Sequence, residues 1–149
     1  MKRVLLVIPI LALILALVLI PAGCMDIQNM IKNTIEEALA GLKATYTIEV
    51  GGTEGLNFTG RYVVVTAAYD PDTYVAFSSD SYDVSGNVSK QYTVTDAISL
   101  GAMFQKQSSG DEELEVKLWR GSPGTGTLVD SANTTDPFGA ILVTAVKEG

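Results

Sequence analysis

The hydrophobic positions divide the chain into three parts with different periods. Residues 4–20 are almost continuously apolar and follow the basic pair Lys2 and Arg3. Residues 26–44 repeat apolar side chains at helical spacing, whereas apolar and polar side chains alternate over much of residues 45–149. The pattern therefore predicts a hydrophobic leader, an amphipathic helix and a β-domain, in that order.

The leader has the layout of a secretory signal peptide, with a basic start, an apolar run and small residues at its end. Residues 21–24 read Pro-Ala-Gly-Cys, which resembles the lipobox of prokaryotic lipoproteins. The resemblance implies cleavage before Cys24 and a diacylglyceryl group on its thiol, so that residues 1–23 are removed. Pro21 departs from the lipobox, which usually has an aliphatic residue there. A retained membrane anchor and plain secretion are the alternatives.

Residues 24–44 predict a lipid-anchored linker to the β-domain, and residues 26–44 within it predict an amphipathic helix. Asp26 is the candidate N-cap, and Lys43 lies near the negative end of the helix dipole. This helix could pack on its own domain through its apolar stripe or act as a spacer. Self-association of the helix and contact with the membrane surface are the alternatives. Its apolar stripe comprises Ile27, Met30, Ile31, Ile35, Ala38, Leu39 and Leu42.

The β-domain contains short alternating runs separated by Gly, Pro, Asp and Asn turns. Such spacing is typical of a sandwich or barrel, and we expect an all-β fold, specifically an immunoglobulin-like antiparallel β-sandwich. The predicted strands cover residues 45–50, 61–69, 73–77, 88–94, 97–106, 113–120, 127–132 and 140–146.

Composition narrows the functional classes. The whole chain has net charge −7, and removal of Lys2 and Arg3 with the leader would leave 8 basic and 17 acidic residues, a net charge of −9. Such a chain repels nucleic-acid phosphates and anionic lipid surfaces. The sequence contains no histidine, which excludes Ser-His-Asp and Cys-His catalysis and zinc sites with imidazole ligands. Its single cysteine, Cys24, permits no intrachain disulfide.

Several segments of the β-domain together resemble the extracellular domains of MmpS-like (membrane-protein-small) proteins, a prokaryotic family of small envelope proteins. The resemblance covers roughly residues 45–146. It implies an immunoglobulin-like sandwich in the cell envelope and a role as accessory factor to a transporter. The segments that carry the resemblance are residues 52–60, 84–88, 92–100, 104–106, 114–121 and 136–139.

Two kinds of candidate ligand contact stand out. We expect most aromatic side chains to lie in the core or in cross-strand pairs. Trp119 is the candidate ligand contact, because it shares its predicted strand face with charged side chains. The aspartates could supply oxygen ligands to calcium, but their spacing fits no EF-hand loop, and we interpret them as turn residues. We therefore predict no metal site and no cofactor. These aspartates are Asp70, Asp72, Asp80 and Asp83.

Three N-glycosylation sequons begin at Asn57, Asn87 and Asn133. Chance occurrence in a Ser/Thr-rich chain is the alternative. Residues 121–127 superficially resemble a phosphate loop but lack its lysine and helix, so they predict a hairpin loop. Residues 111–113 predict a charged hairpin tip rather than a catalytic dyad.

These observations favour a lipid-anchored envelope protein on the extracytoplasmic side of the cell membrane. We expect a non-catalytic sandwich that binds a partner protein or transporter, with no nucleic-acid partner. A glycan- or calcium-binding surface module is the first alternative, and a structural subunit of a surface assembly is the second.

Overall fold

The computed structural model describes residues 24–146, so the predicted signal peptide or anchor lies outside the described residues. The described part forms one helix and eight strands in two antiparallel sheets, which confirms the all-β class. In chain order the elements are α1 (Cys24–Leu42), β1 (Ala44–Gly52), β2 (Asn57–Asp70), β3 (Tyr74–Asn87), β4 (Lys90–Ala97), β5 (Ser99–Lys106), β6 (Leu114–Arg120), β7 (Thr127–Thr134) and β8 (Ala140–Val146).

Each sheet has four strands, and one core lies between them. Sheet 1 has the order β4-β1-β6-β7 and sheet 2 the order β3-β2-β5-β8. Successive side chains of β6 point to opposite faces of sheet 1. Leu114, Val116 and Leu118 are buried against sheet 2, and the side chains between them are half-buried. The largest side chains of this core that are under 2% exposed are Tyr46, Phe58, Phe104, Ile48, Leu100, Leu114, Leu118, Val50, Val116 and Val143.

The β2–β3 hairpin is much longer than the pattern predicted. Fourteen residues of β2 pair with fourteen of β3 in one unbroken register, from Asn57–Asn87 to Asp70–Tyr74. The predicted short strand at residues 73–77 was wrong in extent, because the rest of β3 is rich in Ser and Asp and exposed on both faces. An edge strand of this kind takes its register from its partner rather than from its own hydrophobic pattern.

The helix packs on the outer face of sheet 2, at the end where the long hairpin extends past its neighbours. Ile35 and Leu39 are buried against Ala67 of β2, with Tyr69 and Ile98 alongside. The helix begins at Cys24, so Asp26 lies inside the first turn and its N-cap assignment was wrong. Met30 and Ala38 of the predicted stripe are exposed. No helix among residues 24–146 has the length and apolar character to cross a membrane.

Two connections differ from the predicted layout. The predicted strand at residues 97–106 is divided at Ile98, because β4 ends at Ala97 in sheet 1 and β5 begins at Ser99 in sheet 2. Residues 107–113 join β5 of sheet 2 to β6 of sheet 1. The charged residues 111–113 therefore lie on an inter-sheet connection, and their assignment to a hairpin tip was wrong. Residues 121–126 do form the predicted loop between the paired strands β6 and β7.

Candidate functional site

The outer face of sheet 2 carries exposed apolar side chains beyond the area that the helix covers. Four large side chains project from β2, β5 and β8, and they are between 38% and 64% exposed. Met103 is paired with Leu142 on β8, while Val63 lies opposite Gly101, where no atom would meet an added Cβ within 4 Å. Exposed apolar surface on one sheet face marks an interaction site more often than isolated apolar residues do. We call this set the apolar face: Val63, Met103, Leu142 and Val146.

A cleft of about 460 Å³ borders the apolar face at Met103. Arg61, which is the cross-strand partner of Met103, also lines the cleft, and its guanidinium donates two hydrogen bonds to the carboxylate of Asp83, at 2.6 and 3.0 Å. This bidentate pair lowers the pKa of Asp83 because the guanidinium hydrogen bonds favour the carboxylate form. The charges of Arg61 and Asp83 therefore compensate each other at the rim of the cleft, beside an apolar surface. A polar rim around an apolar surface is common at protein interfaces.

A second cleft, of about 320 Å³, lies between β2, β3 and β4, at the edge where the two sheets meet. Tyr82 of β3 stacks on Tyr62 of β2, with ring centroids 4.9 Å apart and planes inclined by 22°. Tyr62 in turn contacts Tyr92, which stacks on Phe104 of the core. Burial, and next the neighbouring Tyr82, raise the pKa of Tyr62. We call this cleft the lateral groove, and the aromatic series fixes one of its walls.

Trp119 lies half-buried on the outer face of sheet 1. Its indole N–H donates to the carboxylate of Glu49 at 2.9 Å, and Thr47 and Leu128 lie opposite it on the flanking strands. Its indole N–H is therefore already engaged by a neighbouring strand. Any contact with a ligand would use the exposed part of the ring, and this role of Trp119 stays a prediction.

Two of the aspartates of the calcium alternative, Asp70 and Asp83, have hydrogen-bond partners within the protein. Asp70 Oδ1 accepts from the amide of Asp72 at 2.9 Å, and from the amide and hydroxyl of Thr73 at 2.7 and 2.9 Å. These bonds close the turn between β2 and β3, as predicted for a turn residue, and they lower the pKa of Asp70, the Thr73 amide contributing most. Among residues 24–146, no group of three or more acidic or cysteine side chains is arranged to hold a metal ion.

The three sequon asparagines lie at one end of the two sheets. Asn57 and Asn87 are cross-strand partners, and Asn133 donates to Glu113 at 2.6 Å; all three are exposed. The tip of the long hairpin lies at the opposite end, where Tyr69 and Tyr74 border a small pocket with Gln28 of the helix. Cys24 begins that helix, so its backbone belongs to the end opposite the sequons. Glycosylation and lipidation themselves remain predictions.

Lys106 is a buried charged residue that the sequence pattern did not indicate. It is 0% exposed, and its ammonium donates to the carbonyl oxygens of Gly110, Glu112 and Thr135 at 2.6, 2.8 and 2.8 Å. These three bonds satisfy all three ammonium protons and tie two inter-sheet connections together. A lone lysine at the end of an alternating strand gives no sequence signal for this role.

The apolar face also escaped the sequence reasoning, although a signal was present. Strand β8 is apolar on both faces, with Ile141 and Val143 buried and Leu142 and Val146 exposed. A strand that is apolar on both faces is typical of a sheet covered on both sides.

Comparison with protein families, with curated proteins and with solved structures found no match to this chain.

Proposed function

We propose that the protein is a lipid-anchored envelope protein whose sandwich binds a partner protein through the apolar face. The observation that carries the proposal is the position of Met103, Leu142 and Val146, which project from adjacent strands yet remain more than half exposed. The helix covers only the neighbouring part of the same sheet face. A partner that covered Met103 and Leu142 would complete the two-sided burial that the composition of β8 favours.

The proposal places Cys24 at the membrane as the site of acylation. Two acyl chains give stable attachment, where a single chain is marginal. The net charge of −7 supports a lipid anchor over a basic surface as the means of attachment. We propose a non-catalytic role, supported by a sequence without histidine.

The finer fold assignment is also part of the proposal. Two four-stranded antiparallel sheets around one core support an immunoglobulin-like sandwich. The MmpS-like resemblance adds the hypothesis that the partner is a transporter component. The two proposals are separable, because the apolar face could bind a protein of another class.

Site-specific photocrosslinking in native membranes tests the proposed interface. A photoreactive residue replaces Leu142, and the matched control replaces Leu128, which is 45% exposed on sheet 1. We expect a discrete adduct of constant mass from position 142, none from position 128, and loss of the adduct when Met103→Lys is added. Equal crosslinking at both positions, or an adduct that survives Met103→Lys, would contradict the proposal.

A further inference from the structure

We propose that the lateral groove binds a neutral hexose unit of a glycan, with Tyr82 as the stacking surface. This inference is independent of the partner-binding proposal, because the groove opens at the β3–β4 side of the sandwich and the apolar face lies on β2, β5 and β8. Tyr82 is 46% exposed. Its ring is oriented by the stack on Tyr62, so little side-chain freedom is lost when a ligand binds.

The polar groups around the ring suit hydroxyl-rich ligands. Asp80 lies on β3 two residues before Tyr82, while Thr66 and Thr95 line the groove from β2 and β4. Within residues 24–146 these three side chains make no hydrogen bond or ion pair with the protein. A carboxylate accepts hydrogen bonds, and the threonine hydroxyls both donate and accept, so together they match vicinal sugar hydroxyls.

Charge and size favour a neutral ligand over an anionic one. The chain is strongly acidic, and Asp80 adds a local negative charge that repels phosphate or carboxylate groups. The volume of about 320 Å³ lies at the small end of ligand sites, which run from roughly 300 to 1,000 Å³. An aromatic face beside hydroxyls and one carboxylate also suits an organic cation, so the experiment includes that ligand as a contradicting outcome.

Titration of the purified full-length protein tests the site. The protein is kept in a detergent without a sugar head group, because a glycosidic head group would itself supply a neutral hexose. The probes are D-glucose, D-galactose and D-mannose, their linear tetrasaccharides, and tetramethylammonium, with binding followed by saturation-transfer NMR and calorimetry. We expect saturable binding of at least one neutral sugar and none of tetramethylammonium. Tighter binding of a tetrasaccharide than of its monosaccharide would indicate that the natural ligand is a polysaccharide. Equal binding of the two would indicate that the natural ligand is a free sugar.

Variants locate the binding on the groove. Tyr82→Ala and Asp80→Asn should each weaken binding at least tenfold, whereas Tyr82→Phe should keep most of it because the stacking ring remains. Tyr74→Ala is the matched control, since Tyr74 lies on the same strand and is 42% exposed. Met103→Lys should leave sugar binding intact, which separates failure here from failure of the partner-binding proposal. Absence of sugar binding up to millimolar concentration, any saturable binding of tetramethylammonium, or unchanged affinity in either Tyr82→Ala or Asp80→Asn would overturn the assignment.

Discussion

At the scale of single residues, Lys106 shows how one buried charge can organise loops. Its ammonium is fully buried and shares its three protons among three backbone carbonyls of two connections. Burial of an ammonium group is costly unless its hydrogen bonds are made, and here all three are made. The side chain therefore ties together two inter-sheet connections at the sequon-bearing end of the sandwich.

Replacement of Lys106 by Met should destabilise the protein by about 2–5 kcal/mol, because it leaves three carbonyl oxygens without their donor. Urea unfolding of the full-length protein measures this change. Lys90→Met is the matched control, since Lys90 is exposed, and it should change stability by no more than about 0.5 kcal/mol. Similar effects for the two variants would contradict the structural role of Lys106.

The turn between β2 and β3 should open in acid, because the bonds to Thr73 and Asp72 lower the pKa of Asp70. A lowered pKa means that the stabilising contribution is complete above the unfolded value of about 3.9 and is lost as the pH falls through the folded value. NMR titration should show the Thr73 amide responding below about pH 4. In Asp70→Asn this response should vanish; the same titration curve in both proteins would contradict the assignment.

At the scale of elements, the sequence predicted strands well where one face is buried and poorly where neither is. The alternation in β6 matches its burial, and β8 has the predicted bounds. Most of β3 was missed because its side chains face solvent and provide no hydrophobic period. Strand pairing was not predictable either, since β1 pairs with β4 and β6, which are distant in sequence. The apolar face and the lateral groove depend on this pairing.

Two glycines on neighbouring strands of sheet 2 should respond oppositely to alanine. A Cβ at Gly60 would collide with the ring of Phe104 and lie 2.8 Å from the carbonyl oxygen of Met103, whereas a Cβ at Gly101 would meet nothing within 4 Å. Gly60→Ala should therefore cost about 1–3 kcal/mol. Gly101→Ala should be neutral or stabilise by up to about 1 kcal/mol. Thermal unfolding of the two variants measures these changes in stability. Equal destabilisation by Gly60→Ala and Gly101→Ala would contradict this packing.

The docked helix should loosen without loss of the sandwich. Leu39 is 7% exposed against sheet 2, so Leu39→Ala should weaken docking by about 2–5 kcal/mol. Hydrogen exchange should accelerate in α1 and around Ala67, while amides of β1 and β6 keep their protection because the core between the sheets is separate. The control Ala38→Ser alters an exposed position. Uniform acceleration across both sheets would contradict independent docking.

At the scale of the whole molecule, the start of the helix and the sequon asparagines mark opposite ends of the sandwich. The start of α1 lies toward the tip of the long hairpin, and the exposed sequon asparagines lie at the opposite end of the sheets. If Cys24 is acylated, the hairpin tip faces the membrane and the end secured by Lys106 points away from it. The apolar face and the lateral groove then lie along the sides of the sandwich, where envelope proteins and glycans can reach them.

The intact mass of the protein extracted from its native membranes tests this membrane-anchored account most directly. A Cys24→Ala variant, expressed in the same way, is the control. The account predicts a chain that begins at Cys24 and carries a diacylglyceryl group, and it predicts that the variant lacks this modification. An unmodified chain that begins at Met1 would contradict lipid anchoring and would instead support a retained hydrophobic anchor.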